Sequence, residues 1–104
     1  MENSFSPMSE TAYYILLSLL QERHGYGIMQ HVSDLTGNRI ILGAGTVYGT
    51  LGKLEKASLI LITKEEEKRK YYEITEVGRI VLQKEILRIK ELHQNGMEAM
   101  GHDE

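Results

Sequence analysis

Three apolar stripes at helical spacing, two strand-like runs around a charged tip, and a long apolar-periodic segment after them predict a mainly α (α+β) chain. The pattern centres on residues 43–73. These read GAGTVYGTLGKLEKASLI, a short helix ending in an apolar pair, and then LITKEEEKRKYYE, a hairpin with a basic flank. A helix followed directly by such a hairpin is the layout of a winged helix-turn-helix. The expected architecture is a three-helix core, a two-stranded wing and a long C-terminal dimerisation helix. Residues 1–75 would form the DNA-binding domain, and residues 76–104 the dimerisation helix and a tail, in one unit.

At 104 residues the chain can bury one core and not two. Its 41% hydrophobic and 26% charged residues are ordinary for a globular protein and argue against disorder. The longest apolar run, residues 15–20, is interrupted by Ser18 and falls short of the roughly 20 residues of a membrane span. The N-terminus carries Glu2 and Glu10 where a signal peptide has a basic region. With no cysteine, disulfides and thiolate metal sites are excluded, and the cytoplasm is the expected compartment. His24, His31, His93 and His102 lack metal-ligand spacing, so no metal or other cofactor is expected; His24 and His31, seven apart, have the spacing of one helix face, but the favoured reading is of partly exposed polar positions. No nucleophile with a base and no paired carboxylates suggest an enzyme.

The net charge is -3, but it is unevenly spread. Residues 39–72 hold seven basic and four acidic groups, whereas the segments on either side are each acidic by three. The excess coincides with the helix and hairpin, as an electrostatic footprint for phosphate requires. It is small, so affinity from one chain should be low and salt-sensitive.

Ser6 or Ser9 can cap a first helix, with Pro7 suited to its first turn if Ser6 is the cap. Ala12, Ile15, Leu16, Leu19 and Leu20 form its apolar stripe, which stops near His24-Gly25. Tyr13 and Tyr14 face either the core or a partner. A second helix over residues 26–36 places Ile28, Met29, Val32 and Leu35 inward before Gly37 closes it. Ile40, Ile41 and Leu42 then make a loop anchored in the core, favoured over a short strand.

The third helix is expected over residues 44–57 with Val47, Leu51 and Leu54 on its inner face. Its outer face carries Gly45, Thr46, Gly49, Gly52 and Lys53, with Tyr48 at the boundary. Interior glycines cost a helix about 1 kcal/mol each relative to alanine, so a purely structural helix has no reason to keep them. A bare face suits close approach to a duplex. Thr46, Tyr48 and Thr50 are the candidate base contacts, and Lys53 a phosphate contact. The sequence GAGTVYG is not a dinucleotide fingerprint, because Tyr48 stands where GxGxxG needs its last glycine.

Residues 59–63 and 70–74 read as the wing strands, and residues 64–69 as its turn. Lys68, Arg69 and Lys70 add phosphate contacts, while Glu65, Glu66 and Glu67 oppose them at the tip. Thr75 caps the last helix, expected to fray near Asn95-Gly96 after about 19 residues, or roughly 28 Å. Leu82, Ile86, Ile89 and His93 step by four, three and four, a short seam whose favoured partner is helix one of a second copy, over packing back on its own domain, with Met97 and Met100 in position to extend it.

HGYGI at residues 24–28, TVYGTLGKLEKASLI at 46–60 and KRKYYEITEVGR at 68–79 together resemble the PadR family of bacterial transcriptional regulators. The resemblance covers most of residues 12–82. It implies a winged-helix domain with a C-terminal dimerisation region, binding double-stranded operator DNA as a homodimer, usually as a repressor, and responding in some members to a small-molecule effector. The short form has a single C-terminal helix, matching where this chain stops. Thr46 and Tyr48 match the family's recognition-helix pattern, and Lys68, Arg69 and Lys70 its basic wing. The family often has Ser-Pro at the positions of Ala44-Gly45, proline at Gly49 and arginine near Gly52, so this chain should bind more weakly. It also lacks tryptophan, and with it an aromatic drug-stacking pocket. The alternative is a winged-helix protein-interaction module or anti-regulator.

Overall fold

The computed structural model describes residues 5–101, so His102 lies outside the described residues. The chain runs α1 (Glu10–Ser18), β1 (Arg23–His24), α2 (Gly25–Leu35), α3 (Ala44–Lys56), β2 (Ile60–Glu66), β3 (Arg69–Ile74) and α4 (Glu76–Ala99). This is the winged-helix α+β fold, with one strand more than the wing itself. The sheet order is β1-β3-β2, antiparallel throughout.

Ser9 caps α1 by accepting the Ala12 N–H at 3.1 Å, and Pro7 lies before the helix. The helix ends at Ser18, well short of His24-Gly25, because tertiary partners take its last carbonyls. Arg23 Nε donates to the Ser18 carbonyl at 2.9 Å, and the Ile74 N–H to the Leu19 carbonyl at 2.8 Å. The chain is then extended at residues 23–24 and pairs Arg23 with Tyr72 and His24 with Tyr71. Leu20 falls beyond the helix and is exposed, while Ala12, Ile15, Leu16 and Leu19 are buried. Leu35, expected inside, is 51% exposed: it ends α2 beside Leu17 and Leu20, lining a shallow cleft where α1 has already stopped.

Ile15, Leu16, Leu19, Ile28, Val32, Val47, Leu51 and Leu54 form the centre of the core. The connection from α2 to α3 is the expected anchored loop, with Leu42 buried, Ile40 packed against the core and Ile41 in solvent. Thr75 caps α4, accepting the Gly78 N–H at 3.0 Å while its hydroxyl donates to the Ser58 carbonyl at 2.7 Å. Gly78 is required there, since a Cβ would stand 2.2 Å from the Leu59 carbonyl oxygen.

The hairpin is longer and its turn tighter than residues 64–69 suggested. Only Glu67 and Lys68 form the turn, both with positive φ (50° and 66°), the backbone of a two-residue loop whose twist matches the strands. A bulge between Ile62 and Lys64 shifts the register midway.

The α4 helix has 24 residues, about 36 Å, and continues through Asn95-Gly96. One glycine costs about 1 kcal/mol, and the helix formers around it sustain the ladder, the Met100 N–H reaching the Gly96 carbonyl at 3.0 Å. Gly78, Val81, Leu82 and Glu85 are buried on its first half. Leu82, expected on the open seam, is only 3% exposed and packs in its own core, whereas Ile86, Ile89 and His93 are exposed. Among the described residues no helix is long and apolar enough to cross a membrane.

Candidate nucleic-acid interface

The α3 helix presents Gly45, Thr46, Tyr48, Gly49, Gly52 and Lys53 to solvent and buries Val47, Leu51 and Leu54. A Cβ built on Gly43, Gly45, Gly49 or Gly52 meets nothing within 4 Å. Packing within this chain therefore does not explain those glycines. They leave a shelf of backbone open to an approaching surface. Thr50, a predicted base contact, is half-buried on the flank and lies off that shelf. Lys56, absent from the predicted set, is exposed at the shelf's centre: nine steps of about 100° place it half a turn from Val47, a signal the periodicity already contained.

Tyr48 is held rather than free. A Cβ on Gly25 would come within 2.3 Å of its hydroxyl oxygen, so the phenol lies across the first turn of α2 while remaining 51% exposed. Glycine at position 25 makes that contact possible. Behind it, Tyr72 of β3 is buried and its phenol pKa is raised, first by burial and then by Glu55 and Tyr48 of α3. The wing is thus seated against α3.

Strand alternation divides the basic residues of the wing. Lys68 sits in the turn and Lys70 follows on the side of Tyr72 and Ile74, both lysines exposed. Arg69 is on the opposite side, its guanidinium carbon 5.7 Å from the Tyr26 ring centre and its Nη1 3.4 Å from Nε2 of His24. Among the described residues, Lys53, Lys56, Lys68, Arg69 and Lys70 form no ion pair with a carboxylate. Lys64, by contrast, is neutralised by Glu22 and Glu66, each at 3.7 Å.

His24 and His31 are both partly exposed and lie on different elements, β1 and α2. His24 precedes α2 and caps it, its Nδ1 accepting the Gly27 N–H at 3.1 Å. His31 meets the Ser18 hydroxyl at 2.8 Å, and burial, followed by the Arg23 charge, lowers its pKa. Tyr26, 65% exposed beside Arg69, is the other residue that local sequence patterns did not single out, although it lies within HGYGI.

At the opposite end, Glu85 is 1% exposed and ties the N-terminal segment to α4. It accepts from the Met8 N–H at 3.1 Å, the Ser6 hydroxyl at 3.2 Å and Arg88 at 2.8 Å. Beside it Met8, Glu10, Tyr13, Tyr14 and Ile89 line a cleft of about 450 Å³. Tyr13 and Tyr14 pack edge to face, 5.6 Å apart.

Residues 15–84 match the family model of the transcriptional regulator PadR-like family. The chain is 34% identical over 91 residues to uncharacterized protein X of Lysinibacillus sphaericus, covering 81% of this chain and 84% of that one. It is 33% identical over 66 residues to the transcriptional regulator YqjI of Escherichia coli, covering 62% of this chain and 32% of that longer relative. A solved PadR family transcriptional regulator from Eggerthella lenta shares the fold, with a TM-score of 0.75 at 22% identity over 88% of this chain and 82% of that one. The chain belongs to the PadR-like family of transcriptional regulators.

Proposed function

We propose that the protein is a repressor that binds operator DNA as a homodimer, with α3 in the major groove and the wing on the flanking backbone. The observation that carries this reading is the open glycine shelf on α3, bordered by Thr46, Tyr48 and exposed lysines. Hydroxyls reach base edges and phosphates, and the lysines of α3 and the wing neutralise phosphates. One chain carries few such charges, so useful affinity requires two copies. The buried face of α4 continues past Glu85 as Ile89, Leu92, His93, Gly96 and Met100, all exposed. That face is the proposed dimer surface, with residues 1–75 as the reading domain and 76–104 as the pairing segment. A small-molecule effector in the Tyr13–Tyr14–Glu85 cleft would touch both the N-terminal segment and the pairing helix, and so couple occupancy to the spacing of the two α3 helices. DNA release on adding such a compound checks this part.

The main test is duplex binding across a salt series. Tyr48→Ala is expected to lose affinity mainly for the operator. Lys68→Ala with Lys70→Ala is expected to weaken all duplexes and flatten the salt slope by about 2. Unchanged binding in both variants would sink the assignment, and no complex with any promoter duplex at low salt would favour the protein-interaction module instead.

A further inference from the structure

His24 makes two contacts that together fix which of its ring nitrogens donates. Its Nδ1 accepts the Gly27 N–H as the cap of α2. A neutral imidazole carries one proton, so with Nδ1 as acceptor that proton is on Nε2. Nε2 lies 3.4 Å from Nη1 of Arg69, and a guanidinium has no acceptor. Two N–H donors therefore face each other. A doubly protonated ring does not relieve this, since it keeps the Nε2 donor and removes the cap. An oxygen acceptor seated beside the pair satisfies both.

The two donors are held in place by their neighbours. The His24 ring packs edge-on against Tyr71 at 5.0 Å, and Lys64 Nζ lies 4.7 Å from the Tyr71 ring centre. Arg69 rests over Tyr26. The cluster is open to solvent, Tyr26 being 65% exposed, so it fits a group on a large partner better than an enclosed small ion. It is also continuous with α3, because Tyr48 lies on Gly25, the residue after His24.

We propose that His24 Nε2–H and the Arg69 guanidinium form a two-pronged clamp for one phosphate of the DNA backbone, at the junction of wing and α2. This rests on the operator-binding reading above and adds His24 to its contacts. A phosphate contact sets the position of the protein on the duplex without reading sequence. Its loss should weaken all duplexes alike.

The discriminating variants are His24→Asn, whose side-chain oxygen can retain the α2 cap while the Nε2 donor is lost, and Arg69→Met. Fluorescence anisotropy on operator and unrelated duplexes should show about five- to tenfold weaker binding of both duplexes for each variant, with the salt slope flatter by about 0.9 for Arg69→Met. The thermal midpoint of His24→Asn should stay near that of the parent. Wild-type binding by both variants, alongside weakened Lys68→Ala/Lys70→Ala, would remove the clamp and leave the operator reading intact. Failure of the parent protein to bind any duplex would overturn both. Saturable binding of inorganic phosphate, followed by NMR at the His24 ring, with no effect of the variants on DNA, would reassign the site to a free anion and overturn the clamp.

Discussion

Glu85 is charged and almost fully enclosed, a combination that is stable only when the carboxylate is paired and hydrogen-bonded. Arg88 provides the largest share of that support and lowers the carboxyl pKa; the Met8 amide and Ser6 hydroxyl add to it against the opposing effect of burial. A folded-state pKa below the unfolded value of 4.5 means that the stabilisation is fully present above that value and is lost as pH falls through the folded pKa. Glu85→Gln should therefore destabilise the protein at pH 7 by about 1–3 kcal/mol, with the gap narrowing below pH 4.5. Urea unfolding of both proteins at the two pH values checks this, and an equal gap at both would refute it. In the sequence, Glu85 reads as one more helix-surface charge. Its partners, Ser6 and Met8, lie some eighty positions away and cannot be paired with it by local spacing. His24 was obscured for the same reason, since Arg69 reaches it only once β1 lies along β3.

The α3 helix was the most legible element. Val47, Leu51 and Leu54 gave its inner face from spacing alone, and their burial follows from it. The glycines on the other side carry the clearest prediction. Gly49→Ala meets no clash in the chain and restores helix propensity, so it should raise stability by about 1 kcal/mol. If a duplex approaches that backbone, the same methyl should weaken operator binding, by about tenfold for each 1.4 kcal/mol of binding free energy it removes. Thermal unfolding and operator titration of one variant separate the two effects. Added stability with unchanged binding would make the shelf an ordinary solvent face. Elements were less legible where their ends depend on partners. The α1 helix stops at Ser18 because Arg23 and Ile74 capture its carbonyls, and the wing turn shrinks to Glu67-Lys68 because cross-strand pairing extends to the tip.

The molecule is elongated, 53 × 35 × 20 Å along its principal axes. Exposed Ile89, Leu92 and Met100 continue, without a break in helical phase, the face that is core nearer the domain. Burying a large apolar side chain contributes about 1.5–3 kcal/mol, so leaving several in water is costly unless a second copy covers them. If a second copy covers them as proposed, Ile89→Glu with Leu92→Glu should give a monomer by sedimentation equilibrium with helical content unchanged, whereas a monomeric parent protein would refute the proposed dimer.

The sequence by itself determined the order of the four helices and the hairpin, the inner face of α3 and the family, because these depend on periodicity, local propensity and contiguous motifs. Tertiary structure decided where α1 ends, that a third strand exists, that Leu82 belongs to the core and that His24 meets Arg69. Each of those depends on hydrogen bonds or burial between residues far apart in the chain, which no local pattern records.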